Sequence, residues 1–213
     1  AIRLMDVSNA VIESSLLNST AVGIYLSDCD NVTIYDVEVR DCTSWAIECY
    51  QSQDVAVVDS SISGYNGVYG QVGSRLGVLG CDIEDTVNGV SLKDIDNSTV
   101  SGNSILGCDY GVKLDTADTC DVSGNTVSGC SYGLYIVYVF NSGIDENAVS
   151  YIDHVGISIY DGSYNNTVSS NSVANCSDTG IIMDYLIRDC VVWNNTILNN
   201  TSPGLAGGLY LWG

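Results

Sequence analysis

The chain has 213 residues, enough for one domain with a real core, and 46% of them are hydrophobic, which excludes a disordered chain. Asp and Glu outnumber Lys and Arg by 26 to 6, for a formal charge of −20. Nucleic acid and anionic membranes are excluded as partners, because so few cations, none adjacent to another in sequence, cannot neutralise rows of phosphates. Membrane insertion is excluded as well, since the longest strongly apolar run, residues 133–140, is far short of the roughly 20 residues a spanning helix needs.

A repeat starts at the first residue. A small residue followed by an apolar one recurs at Ala1-Ile2, Gly23-Ile24, Ala46-Ile47, Gly67-Val68, Gly89-Val90, Gly111-Val112, Gly133-Leu134, Gly156-Ile157, Gly180-Ile181 and Gly208-Leu209, every 21 to 24 residues until a final interval of 28. Apolar residues two apart, such as Val90/Leu92 and Leu134/Ile136, make each anchor the start of a strand with one buried face. Eleven or twelve residues on, a second buried column reads Ile12, Ile34, Val57, Val78, Val100, Val122, Ile144, Val168 and Val192. Five residues further, a third reads Leu17, Val39, Ile62, Ile83, Ile105, Val127, Val149, Val173 and Ile197. Between these two columns the later repeats align Asn103, Asn125, Asn147, Asn171 and Asn195, a ladder of amides at a bend, where the earlier repeats carry Ser15, Val37, Ser60 and Cys81. The whole chain, 1–213, reads as one all-β domain of nine to ten coils of about 22 residues, with three strands per coil and no terminal cap.

Through Gly89-Val-Ser-Leu with Asn97-Ser-Thr-Val-Ser-Gly-Asn103-Ser-Ile, and its copy from Gly111 to Val127, the chain resembles the right-handed parallel β-helix repeat family, including NosD-like and pectate-lyase-like solenoids of archaeal and bacterial surface proteins. The resemblance implies the fold and leaves function open, since that family spans lyases, hydrolases, binding modules and fibres. The copper that the NosD-like name implies has no His or Met cluster to receive it, and no cofactor is expected.

Most of the nine cysteines fall in inward columns and read as small apolar filler. Cys29, between Asp28 and Asp30, is expected to be exposed, either as an intermolecular disulfide or as an unpaired thiol. His154, the lone histidine, reads as a turn residue. Asp94, Asp96, Asp115 and Asp118 share the turn after the first strand, where the choice is between calcium ligation and solvated acids. Eight Asn-x-Ser/Thr sequons, with Asn18, Asn31, Asn97 and Asn165 as candidate glycosylation sites, point to an extracellular or cell-surface protein.

Outward positions of the first strand carry Tyr25, Tyr69, Tyr135 and Tyr210, and two residues later Tyr50 and Tyr160. This tyrosine-rich face suits either a glycan, by ring stacking, or a neighbouring protein. No polygalacturonase or pectate-lyase motif occurs, and Asp115 with Lys113 are the polar residues best placed to take part in chemistry. The leading expectation is a non-enzymatic structural subunit of a surface-layer, sheath or fibre type, its partner being itself by end-to-end stacking. The alternative is a carbohydrate-binding or carbohydrate-processing β-helix domain.

Overall fold

The computed structural model describes residues 1–204 and 206–212, so Leu205 and Gly213 lie outside the described residues. Among the described residues twenty-five strands pair in one continuous parallel sheet that winds upon itself, each coil bonding to the next in register but for one slip between residues 39 and 45. The first-strand column runs Val90, Val112, Leu134, Ile157, Ile181 and Leu209, the second Val100, Val122, Ile144, Val168 and Val192, the third Ile105, Val127, Val149, Val173 and Ile197. These columns form a single core along the axis, sealed in the middle coils and half-exposed at Val192 and Ile197. A β-helix of this kind follows directly from the period, because a coil cannot bury its apolar face without a neighbour on the same register.

Turns explain much of the acidity. Residues in the left-handed backbone region recur once per coil at each bend, and more than half of the non-glycine ones are Asp or Asn, such as Asp6, Asp28, Asp94 and Asp161 after the first strand. Short side chains that hydrogen-bond locally tolerate this conformation best after glycine. A good part of the negative charge is therefore there because the corners need it.

The anchor glycines have another reason. A Cβ on Gly67 would lie 2.1 Å from the Gly89 carbonyl oxygen, and one on Gly133 would lie 2.2 Å from that of Gly156. The backbone of the next coil occupies the space a side chain would need. Ala46 sits in the same column just beyond the place where the pairing of its strand slips register, between Cys42 and Trp45.

Inside the bends, side chains accept the backbone N–H of the coil before. Asn125 Oδ1 accepts from Asn103 N at 3.0 Å and from Asn103 Nδ2 at 2.9 Å, while Asn125 Nδ2 donates to Val100 O and Asn147 Oδ1. The same amide chain continues to Asn171 and Asn195. Serine serves other bends: Ser60 Oγ accepts Val37 N and donates to Val58 O.

Cysteine does this work too, and this corrects the expectation for Cys29. It is 1% exposed, its thiol donates to Ser27 O, and its N–H donates to Ser52 Oγ, so it is a rung of an inner ladder with no surface to offer a disulfide partner. The flanking Asp28 takes the left-handed turn, and that bend swings the next side chain inward, which the acidic neighbours concealed. Cys42, Cys81, Cys108, Cys120, Cys130, Cys176 and Cys190 each donate to the carbonyl two residues earlier, as Ser52, Ser60, Ser98 and Ser142 do. Burial pushes the thiols of Cys81, Cys120 and Cys176 up to about 11 and that of Cys49 to about 12. Cys29→Ser should therefore change stability by less than about 1 kcal/mol, and Cys29, unlike the partly exposed Cys190, should react with a water-soluble thiol reagent only on unfolding. Fast labelling of Cys29 in the folded state would refute its place in the ladder.

Candidate functional site

The outward side of the first strand presents rings from neighbouring coils at the parallel-sheet spacing of about 4.8 Å. Trp45 stacks on Tyr69, with centroids 4.6 Å apart. Further along the axis, Tyr110, Tyr132 and His154 stack in turn at 5.0 and 4.8 Å. Tyr135 stands across that stack, at 73° to Tyr110 and 75° to Tyr132, and continues to Tyr160 at 5.8 Å. Lys113 Nζ lies over the rings of Tyr110 and Tyr135, at 5.4 and 5.8 Å. Between the two aromatic groups the intervening coil contributes Asn88, Ser91 and Lys93, and the Asn88 amide donates to Asn66 Oδ1.

Of the six tyrosines read from the sequence, Tyr69, Tyr135 and Tyr160 join these clusters. Tyr25 pairs instead with Arg3, 4.9 Å from its ring centroid, while Tyr50 and Tyr210 lie in the same strand register without a described ring contact. Trp45, Tyr110, Tyr132 and His154 are additions. Trp45, Tyr110 and Tyr132 stand immediately before an anchor and His154 two residues before one, a recurrence present in the sequence, from which His154 alone was read, as a turn residue.

Burial pushes the Tyr160 phenol up to about 12, with Tyr135, Asp184 and Asp178 adding to the shift. Tyr135 and Tyr69 are raised the same way, by burial first and then by neighbours that include Asp161 and Asp115 for Tyr135, and Glu48, Asp94 and Asp115 for Tyr69. Burial also raises the Glu48 carboxyl, which stands in register between Tyr25 and Tyr69.

Lys93 faces Asp115 in register, but the ion pairs among the described residues are Arg40–Glu38 and Arg75–Asp54, so both lysines of the face lack a carboxylate partner at bridging distance. Three of the four acids weighed for calcium accept hydrogen bonds in the turns, and the fourth bends the chain. Asp96 Oδ1 accepts Asp118 N, Asp118 Oδ1 accepts from Asn141 Nδ2 and Thr119 Oγ1, Asp115 Oδ1 accepts from Thr116, and Asp94 takes a left-handed turn. Among the described residues no three His, Cys, Asp or Glu side chains gather as a metal site. Asn18, Asn31, Asn97 and Asn165 are exposed, the last three in one corner column, where Asn31 and Asn165 each donate to the asparagine one coil below.

The family model of NosD, described as a periplasmic copper-binding protein, matches residues 47–204. The chain belongs to the NosD family. No curated protein matches it. Among solved structures it is similar to the periplasmic alginate epimerase AlgG, at 13% identity and TM-score 0.76, over 88% of this chain and 50% of that one. It is also similar to DFA-IIIase from Arthrobacter chlorophenolicus A6 in complex with GF2, at 15% identity and TM-score 0.65, over 91% of this chain and 60% of that one. The chain thus spans half to three fifths of the length of these structures. At such identities the likeness shows the parallel β-helix fold.

Copper does not fit the residues present. His154, the one histidine, is stacked on Tyr132, Met5 and Met183 sit at opposite ends of the solenoid, and the ladder cysteines hold backbone carbonyls. The comparisons also correct the reading of a non-enzymatic, self-stacking structural subunit. The similar structures are an epimerase and a DFA-IIIase, and the family is described as periplasmic and copper-binding, with nothing of a fibre, sheath or surface layer among them. That reading rested on the raw ends of the repeat, which a stretch of a longer solenoid shares.

Proposed function

We propose that this NosD-family solenoid is a carbohydrate-binding or carbohydrate-processing domain acting outside the cytoplasmic membrane, with its first-strand face as the glycan platform. The cluster of Tyr110, Tyr132, Tyr135, Tyr160 and His154 around Lys113 carries the proposal. Sugar rings expose C–H faces that pack on aromatic rings, and phenols, amides and an ammonium supply hydrogen bonds to their hydroxyls. The alginate epimerase and the DFA-IIIase, both carbohydrate enzymes on this fold, support the reading. For processing, Lys113 and Asp115 lie on one strand beside the rings, where an ammonium and a carboxylate can share proton transfer.

Tyr135→Ala and Tyr160→Ala should each weaken glycan binding at least tenfold, about 1.4 kcal/mol, while circular dichroism and sedimentation stay those of the wild type. Retained affinity in both variants would refute this face as the platform.

A further inference from the structure

We infer that this platform takes an uncharged glycan and rejects polyuronates, an inference that rests on the carbohydrate reading above and narrows its substrate class. The ring groups stand among carboxylates. Glu48 shares a register column with Tyr69, Asp115 pairs in register with Val137 beside Tyr135, Asp184 pairs with Tyr160, and Asp94 and Asp161 turn the chain immediately after the strand. Against these five acids the same face sets three cations, Arg3, Lys93 and Lys113, and Arg3 is engaged by Tyr25 at the far end. The phenols of Tyr69, Tyr135 and Tyr160, raised first by burial, are raised further by carboxylates around them, Glu48, Asp94 and Asp115 for Tyr69, Asp161 and Asp115 for Tyr135, and Asp184 and Asp178 for Tyr160.

A chain bearing a carboxylate on every sugar would meet this surplus of acids over several coils, on a protein of net charge −20. A polycationic glycan would be drawn to those acids, but at the stacking surface it meets the ammonium of Lys93, in the coil between the two ring groups, and that of Lys113, over the rings of the second group, neither of them in a salt bridge among the described residues. An uncharged chain escapes both penalties and still gains the stacking. The two ring groups are set two to three coils apart, about 10 to 15 Å at the sheet spacing, so one oligosaccharide laid along the axis can touch Tyr69 and Tyr135 together.

The test is a binding series by calorimetry on the whole chain. It would use neutral hexasaccharides of gluco, manno, xylo and galacto configuration, oligomannuronate and oligogalacturonate of equal length, and chitosan hexamer, each at 50 and 500 mM NaCl. At least one neutral series should bind, with affinity changing less than twofold between the two salt concentrations and rising at least tenfold from disaccharide to hexasaccharide, and Tyr69→Ala should cancel most of that rise. The uronate and chitosan series should show no saturable binding. Uronate binding that weakens with salt and is lost in Lys93→Gln/Lys113→Gln would overturn the neutral assignment while leaving the carbohydrate platform standing, as would binding of chitosan alone. Silence across every glycan would instead refute the carbohydrate reading itself.

Discussion

Asn125→Ala should destabilise the solenoid by roughly 3–5 kcal/mol, the cost of leaving several buried polar groups unpaired, and lower the melting temperature by on the order of 10 °C for a chain of this size. The Asn125 side chain is fully buried and takes part in four hydrogen bonds, so its loss orphans the Asn103 N–H and one Asn103 amide hydrogen and removes the donor to Val100 O. Nothing else in the bend replaces it, since the ladder residues on either side already serve their own neighbours. Asn125→Ser should be much milder, because Ser60 meets a backbone N–H and a carbonyl at the equivalent bend of an earlier coil. Equilibrium denaturation of the two variants decides the matter, and an Ala variant within about 1 kcal/mol of wild type would show the ladder to be ornamental.

Gly133→Ala is expected to be as severe by a different route. Its Cβ would stand 2.2 Å from the Gly156 carbonyl oxygen and 2.7 Å from Val149 Cγ1, and neither a sheet carbonyl nor a sealed core valine can withdraw. Overpacking against backbone costs about 3 kcal/mol or more, and here it would force two coils apart at the first strand. Gly204→Ala is the control, as nothing lies within 4 Å of its would-be Cβ. It should stay within about 0.5 kcal/mol. Equal melting temperatures for the two variants would mean that the coils can separate at no cost, contrary to the close approach of their backbones.

These two changes bear on function because the platform has no scaffold other than coil stacking. Tyr135 stands between Lys113 and Ser158 in the parallel register, so its position against Tyr110 and Tyr132 is fixed by the same ladders that Asn125 and Gly133 maintain. A variant that loosens one bend should reduce glycan affinity in proportion to the platform lost, whereas Tyr135→Ala should reduce affinity with the fold intact.

The period, the three buried columns and the coil count were determined by the sequence alone, for a physical reason: strand side chains alternate strictly, and identical coils can bury their apolar faces only on each other. The tyrosine face was legible for the same reason, since outward positions follow from inward ones. The tertiary structure alone decided what depends on contacts between coils some 22 residues apart. It turned Cys29 inward through the left-handed Asp28, made serine and cysteine equivalent rungs, and explained the anchor glycines by the carbonyl of the next coil. It also gathered Tyr110, Tyr132 and His154 with Tyr135 and Tyr160 into one cluster, because corner and strand residues from successive coils meet only once the sheet is wound.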